Sequence, residues 1–124
     1  MPSVLIIDDD EQVRCLLREA FEQAGYEVAA AANGAEGIQL YKQDPTDIVI
    51  LDILMPEKEG LETILDLKRE FPAVKVIAIS GGSERARIDV LDLAKRLGAK
   101  HTLTKPFELR TLLTLASEML SPSR

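Results

Sequence analysis

An α/β domain built on one five-stranded parallel sheet, with helices on both faces, is what this sequence predicts. Three observations predict it. Short apolar runs alternate five times with amphipathic helical stretches, the pattern of parallel strands joined by crossover helices. Four of those runs lead into a polar, chemically capable residue: Asp8-Asp9, Asp52, Ser80 and Lys105. The chain has 124 residues, enough for one ordinary domain and too few for two.

The first apolar run is Val4-Leu5-Ile6-Ile7, a strand closed by Asp8 and Asp9. Val13, Leu16, Leu17, Ala20, Phe21 and Ala24 follow at helical spacing and predict one inward stripe. Asp10 and Glu11 stand near the start of that helix, where acids suit the dipole, and Gly25 stops it. Tyr26 to Ala31 is a weaker strand, poor in large side chains. Asn33-Gly34 is a turn signal. Ala35 to Lys42 is a short helix with Ile38 and Tyr41 inward, closed by Asp44-Pro45.

The third strand, Ile48 to Leu51, is an unbroken apolar run ending on Asp52, and it reads as buried on both faces. After Pro56 and Gly60, a helix is expected with Leu61, Ile64, Leu65 and Phe71 inward, ended by Pro72. Val74 to Ile79 is the fourth strand, leading into Ser80-Gly81-Gly82. Ser83 is the expected N-cap of a helix that carries Ala86, Val90, Leu91, Ala94 and Leu97 and ends at Gly98. Lys100 to Leu103 is a short fifth strand, followed by Thr104-Lys105-Pro106. Pro106 is expected to open the last helix, with Leu109, Leu112, Leu113, Ala116 and Met119 inward. One domain is expected over 1–120, with a short tail at 121–124. Five strands in this length fit the flavodoxin-like order 2-1-3-4-5.

Composition excludes several functions. Hydrophobic residues make up 46% and charged residues 29%, ordinary for a soluble globular chain. The net charge is −6 with no basic run, which argues against a nucleic-acid surface. The single cysteine, Cys15, forbids an internal disulfide and suits a reducing compartment. The N-terminal segment has neither a basic region nor an apolar run long enough for a signal peptide or membrane span. The expected location is the cytoplasm.

In the order 2-1-3-4-5 the first and third strands are neighbours at the switch point, where open parallel sheets bind ligands. Asp8, Asp9 and Asp52 therefore converge there, flanked by Ser80 and Lys105. Three carboxylates so close repel, and a divalent cation resolves the conflict. Hard oxygen donors without a His or Cys pair favour Mg²⁺ over zinc. A phosphate entering this rim would meet the cation, Lys105, the Ser80 hydroxyl and the Gly81 N–H. Asp52 as nucleophile would give an aspartyl phosphate.

The ordered set Leu-Ile-Ile-Asp-Asp-Asp (5–10), Ile-Leu-Asp-Ile-Leu-Met-Pro-Glu-Lys-Glu-Gly (50–60), Val-Ile-Ala-Ile-Ser-Gly-Gly (76–82) and Leu-Thr-Lys-Pro-Phe (103–107) resembles the response-regulator receiver domain of two-component signalling. The resemblance runs from end to end. It implies that Asp52 is the phosphorylated aspartate and that Asp8 and Asp9 hold Mg²⁺, Asp9 directly and Asp8 often through water. It implies that the Leu54 backbone carbonyl completes the metal site, that Ser80 turns toward the phosphoryl group, and that Lys105 pairs with it. The Lys105-Pro106 bond is typically cis in the family. Thr102 stands where many receivers carry the aromatic half of the switch shared with Ser80, so that coupling departs from the pattern. Leu54 and Gly82 offer no acid or amide to orient an attacking water, and slow loss of the phosphoryl group is expected.

The implied function is a phosphoacceptor switch. A histidine kinase or histidine phosphotransfer protein donates to Asp52, and the new charge recruits Ser80 and Lys105, shifting the face of strands and helices four and five. The chain is not an enzyme in the ordinary sense; it catalyses its own phosphorylation and dephosphorylation. A downstream protein is expected on that face, where Phe107, Leu115 and Ile88 lie off the main inward stripes. Neither direct nucleic-acid binding nor a membrane is expected. Two rivals stand beside this reading. One is a receiver-like interaction module that is never phosphorylated. The other is an aspartate-nucleophile phosphatase of the haloacid dehalogenase type, which needs a second acid where this chain has Leu54. His101 reads as a surface or interface residue rather than a ligand, and Cys15 as a partly exposed thiol.

Overall fold

The computed structural model describes residues 1–53, 59–81 and 84–120, with backbone alone at 59 and 84–90. The chain alternates β1 (Ser3–Ile7), α1 (Glu11–Gln23), β2 (Glu27–Ala31), α2 (Gly34–Gln43), β3 (Ile48–Asp52), α3 (Glu59–Glu70), β4 (Val76–Ser80), α4 (Glu84–Leu97), β5 (His101–Thr104) and α5 (Leu109–Leu120). The five strands are parallel in the order β2-β1-β3-β4-β5. No helix among the described residues is long and apolar enough to cross a membrane.

Two apolar layers sandwich the sheet. Leu5, Ile7, Val49, Leu51, Val76 and Ala78 face one side, packed with Ile64 and Leu67 of α3, Tyr41 of α2 and Ala94 of α4. Val4, Ile6, Ile48, Ile50, Ile77 and Ile79 face the other, packed with Leu17 and Phe21 of α1 and with Leu112, Ala116 and Met119 of α5. Successive strand residues point to opposite faces, so a run covered on both sides has no polar position to spare. β3 and β4 are accordingly buried at every residue, while the edge strand β5 is only partly buried.

Several expectations are refined. Asn33-Gly34 is not a free turn: the Asn33 side chain accepts the Glu36 N–H at 2.8 Å and caps α2, which starts at Gly34. Pro106 does not open α5. The Lys105-Pro106 bond is cis, as the family resemblance implied, and the helix begins at Leu109, with the Glu108 carbonyl accepting from Thr111 and Leu112. Leu16 and Leu65 do not face inward: they are 53% and 39% exposed. Each lies one residue, about 100° of helical turn, from a fully buried neighbour, Leu17 or Ile64, and only one flank of such a pair meets the sheet. Ala24, expected on the stripe, is the exposed C-cap of α1. Phe107 and Leu115, expected at the surface, are partly buried against the α1/α5 layer. Gly25 ends α1 at φ +93°, a backbone conformation that L side chains rarely adopt. The expected Ser83 cap and the side chains of Ala86, Ile88 and Val90 lie outside the described residues.

Candidate functional site

The site is assembled by strand ends. Ile7 pairs with Leu51, so the next residues, Asp8 and Asp52, emerge side by side at the C-terminal rim. Asp8 and Asp52 are 2% and 5% exposed, while Asp9 is open to solvent. One carboxylate oxygen from each of the three lies within 4.8 Å of the others, an arrangement that could hold a metal ion.

Lys105 arrives from the other side of the sheet centre. β5 pairs with β4 so that Thr104 lies beside Ser80, and the Lys105 N–H donates to the Ser80 carbonyl at 2.7 Å. From there the Lys105 Nζ lies 3.3 Å from Asp52 Oδ2 and 3.8 Å from Asp8 Oδ2. Its stem passes over Gly81, where an added Cβ would sit 3.4 Å from the Lys105 Cδ. Ser80 is fully buried and its hydroxyl donates to the Gly81 carbonyl at 3.2 Å. An open groove of about 470 Å³, lined among others by Val13, Leu16 and Phe107, leads up to Lys105 and Gly81.

Burial pushes the Asp8 carboxyl up from 3.8 to about 6. The Asp10 N–H, which donates to Asp8 Oδ1 at 2.9 Å, opposes the rise; the Asp52 charge adds to it, Lys105 opposes it and Asp9 adds a little more. Without a cation the pair Asp8–Asp52 therefore leans on Lys105 for neutralisation.

The structure brings Asp8, Asp9, Asp52, Ser80, Gly81 and Lys105 to one rim. Thr102 is not among them: it is half-buried beside Ala78 in the middle of β5. Leu54 and Gly82 lie outside the described residues. His101 starts β5 at its opposite end, paired with Ile77. Arg14 escaped the sequence, and so did the tight packing of Gly60. The Arg14 Nη1 donates to the Asp8 carbonyl at 2.7 Å. The only local hint was a cation in the opening turns of a helix, where the dipole disfavours it. Gly60, in the first turn of α3, has no room for a Cβ because the Ile53 backbone lies against it.

Such a rim, acids at the switch point of a parallel sheet with a lysine across from them, defines an α/β domain built for a charged ligand. The chain belongs to the response regulator receiver domain family, whose model matches residues 4–117. It is thus a two-component phosphoacceptor domain by descent. It is 39% identical over 106 residues to the chemotaxis protein CheY of Thermotoga maritima, covering 85% of this chain and 86% of that one. It is 32% identical over 123 residues to the transcriptional regulatory protein CpxR of Escherichia coli, covering 99% of this chain but 51% of CpxR, so it spans about half of that regulator. The crystal structure of the receiver domain of NtrX from Brucella abortus superposes with a TM-score of 0.88 at 27% identity, covering 97% of this chain and 99% of that one.

Proposed function

We propose that Asp52 accepts a phosphoryl group from a histidine kinase or histidine phosphotransfer protein, with Mg²⁺ held at Asp8, Asp9 and Asp52. The observation that carries this reading is the Lys105 Nζ, 3.3 Å from Asp52 Oδ2 and 3.8 Å from Asp8 Oδ2, at the edge of a three-carboxylate cluster. The donor set is all oxygen and mostly carboxylate, which fits Mg²⁺. When bound, the cation would neutralise charge developing on the phosphoryl oxygens. The Asp52 carboxylate oxygen attacks phosphorus as the bond to the donor imidazole nitrogen breaks, and an acyl phosphate forms. Lys105 then exchanges its Asp52 contact for the new phosphoryl oxygens. Ser80 offers its hydroxyl after leaving the Gly81 carbonyl, and the Gly81 N–H is a further donor.

The added charge, about −1.5 to −2 near neutral pH by analogy with other phospho-residues, biases the β4–α4–β5–α5 face and alters binding of a downstream protein. Thr102 lies within that face and would move with it. The exposed thiol of Cys15 suits a reducing, cytoplasmic setting. Incubation with Mg²⁺ and a small acyl phosphate, read by intact mass, tests the proposal. One phosphoryl group should be gained by the wild type, none by Asp52→Asn, and the gain should decay slowly, since Leu54 and Gly82 supply no acid or amide to orient water. A gain that survives Asp52→Asn, or no gain at all, favours an unphosphorylated interaction module. Turnover of a generic phosphate ester would point to a phosphatase instead.

A further inference from the structure

We infer that Arg14 is a positioning residue for the acidic pair that holds the metal. The inference rests on the Mg²⁺-dependent reading above and concerns how the β1–α1 turn keeps its shape. Arg14 is half-buried, and its Nη1 donates a short bond, 2.7 Å, to the Asp8 backbone carbonyl six residues back. A bond from a guanidinium is charge-assisted, among the stronger kinds. The same turn is tied at two more points. The Asp10 N–H donates to Asp8 Oδ1 at 2.9 Å, and the Asp10 carboxylate accepts from the Gln12 and Val13 N–H groups at 2.9 and 3.4 Å, capping α1. The Asp8 carbonyl is the peptide link to Asp9. Holding that carbonyl fixes the plane from which the Asp9 side chain departs, while Asp10 fixes the Asp8 carboxylate. Arg14 thus clamps α1 to the turn that presents both acids.

This role and a merely electrostatic one differ in sign. A cation beside three acids repels Mg²⁺, so removing its charge alone would leave affinity unchanged or raise it. Removing a clamp lowers affinity, because ligands must then be ordered on binding. Partners of metal ligands typically contribute 10- to 100-fold in affinity; Arg14 acts through the backbone, so the low end applies, about tenfold. Arg18, exposed one turn further along α1, supplies the matched loss of charge.

The experiment measures Mg²⁺ affinity by calorimetry for wild type, Arg14→Met, Arg14→Lys and Arg18→Met, together with amide exchange at Asp10 in metal-free protein. Arg14→Met should weaken binding about tenfold and speed Asp10 exchange about tenfold, as expected when a charge-assisted bond of about 1.5 kcal/mol is lost. Arg14→Lys, which keeps a charged donor group, should recover most of both, and Arg18→Met should weaken neither. Unchanged or tighter Mg²⁺ binding in Arg14→Met, or equal effects from Arg18→Met, would overturn the assignment. If wild type itself takes up no Mg²⁺, the metal reading fails, and the Asp10 exchange comparison still decides whether Arg14 orders the turn.

Discussion

Asp8 is an acid kept almost out of water, 2% exposed, between two other acids and one lysine. Burial first, then Asp52, lift its carboxyl from 3.8 to about 6 against the pull of the Asp10 N–H and Lys105. The folded protein therefore binds this proton more tightly than the unfolded chain. The stabilisation is complete below 3.8 and is lost as pH rises through about 6. The interval between those values corresponds to about 3 kcal/mol. In metal-free protein, Asp8→Asn should be more stable than wild type above pH 6, with an advantage that shrinks as the pH falls toward 4. Urea melts across that range check it, and an advantage that grows on acidification would refute the assignment. The Asn side chain can still accept the Asp10 N–H, so the turn survives the exchange. Asp8 and Asp52 were legible in the sequence because each directly follows a fully apolar run. Arg14 was not, because its partner is a backbone carbonyl, which leaves no mark in the side-chain pattern.

At the scale of elements, α3 docks against the main chain beside the site. Its Gly60 packs against the Ile53 backbone, and Ile53 directly follows Asp52. The Ile53 N–H in turn donates to the Ile79 carbonyl at 2.9 Å, so this stretch cannot drift freely from β4. Gly60→Ala puts a methyl group against main-chain atoms rather than the end of a flexible side chain. Overpacking of this kind typically costs about 1–3 kcal/mol. The expected outcome is a loss of that size in urea melts, together with slower acyl-phosphate labelling of Asp52. Full stability with unimpaired labelling would show that α3 can shift without cost. The sequence marked Gly60 as a loop breaker and as the last residue of the 50–60 motif; its tight contact depends on how α3 docks. The same holds for Leu16 and Leu65. Helical periodicity places them on the apolar side, and the docking angle decides which flank is covered.

For the whole molecule, the acidic rim is a conflict that a bound cation would relieve. Ligands that bind only the folded state stabilise it by mass action, by about 2.7 kcal/mol at a hundred times the dissociation constant. Saturating Mg²⁺ should raise the melting temperature by several degrees over a sodium salt of matched ionic strength. Asp9→Asn should remove most of that rise. Asp9 is exposed, so the melting of the metal-free variant should stay close to wild type. A rise of equal size in Asp9→Asn would mean that Mg²⁺ acts through general screening rather than at the rim.

Alternating apolar runs and helical stripes, and the polar residue at four of the five strand ends, were determined by the amino-acid sequence alone. Those signals are local: each is carried by neighbours along the chain, at a period of two or 3.6 residues. The strand order then followed from few alternatives, since parallel crossovers of one hand leave little choice. Tertiary structure alone decided that the Lys105 Nζ reaches both Asp52 and Asp8, that Phe107 and Leu115 pack inward, and that Thr102 lies away from the rim. The Lys105–Asp52 contact joins residues 53 positions apart. Charges at that separation meet only after helices have docked and the sheet has closed its register, and no periodic pattern in the chain records which side chain will reach across.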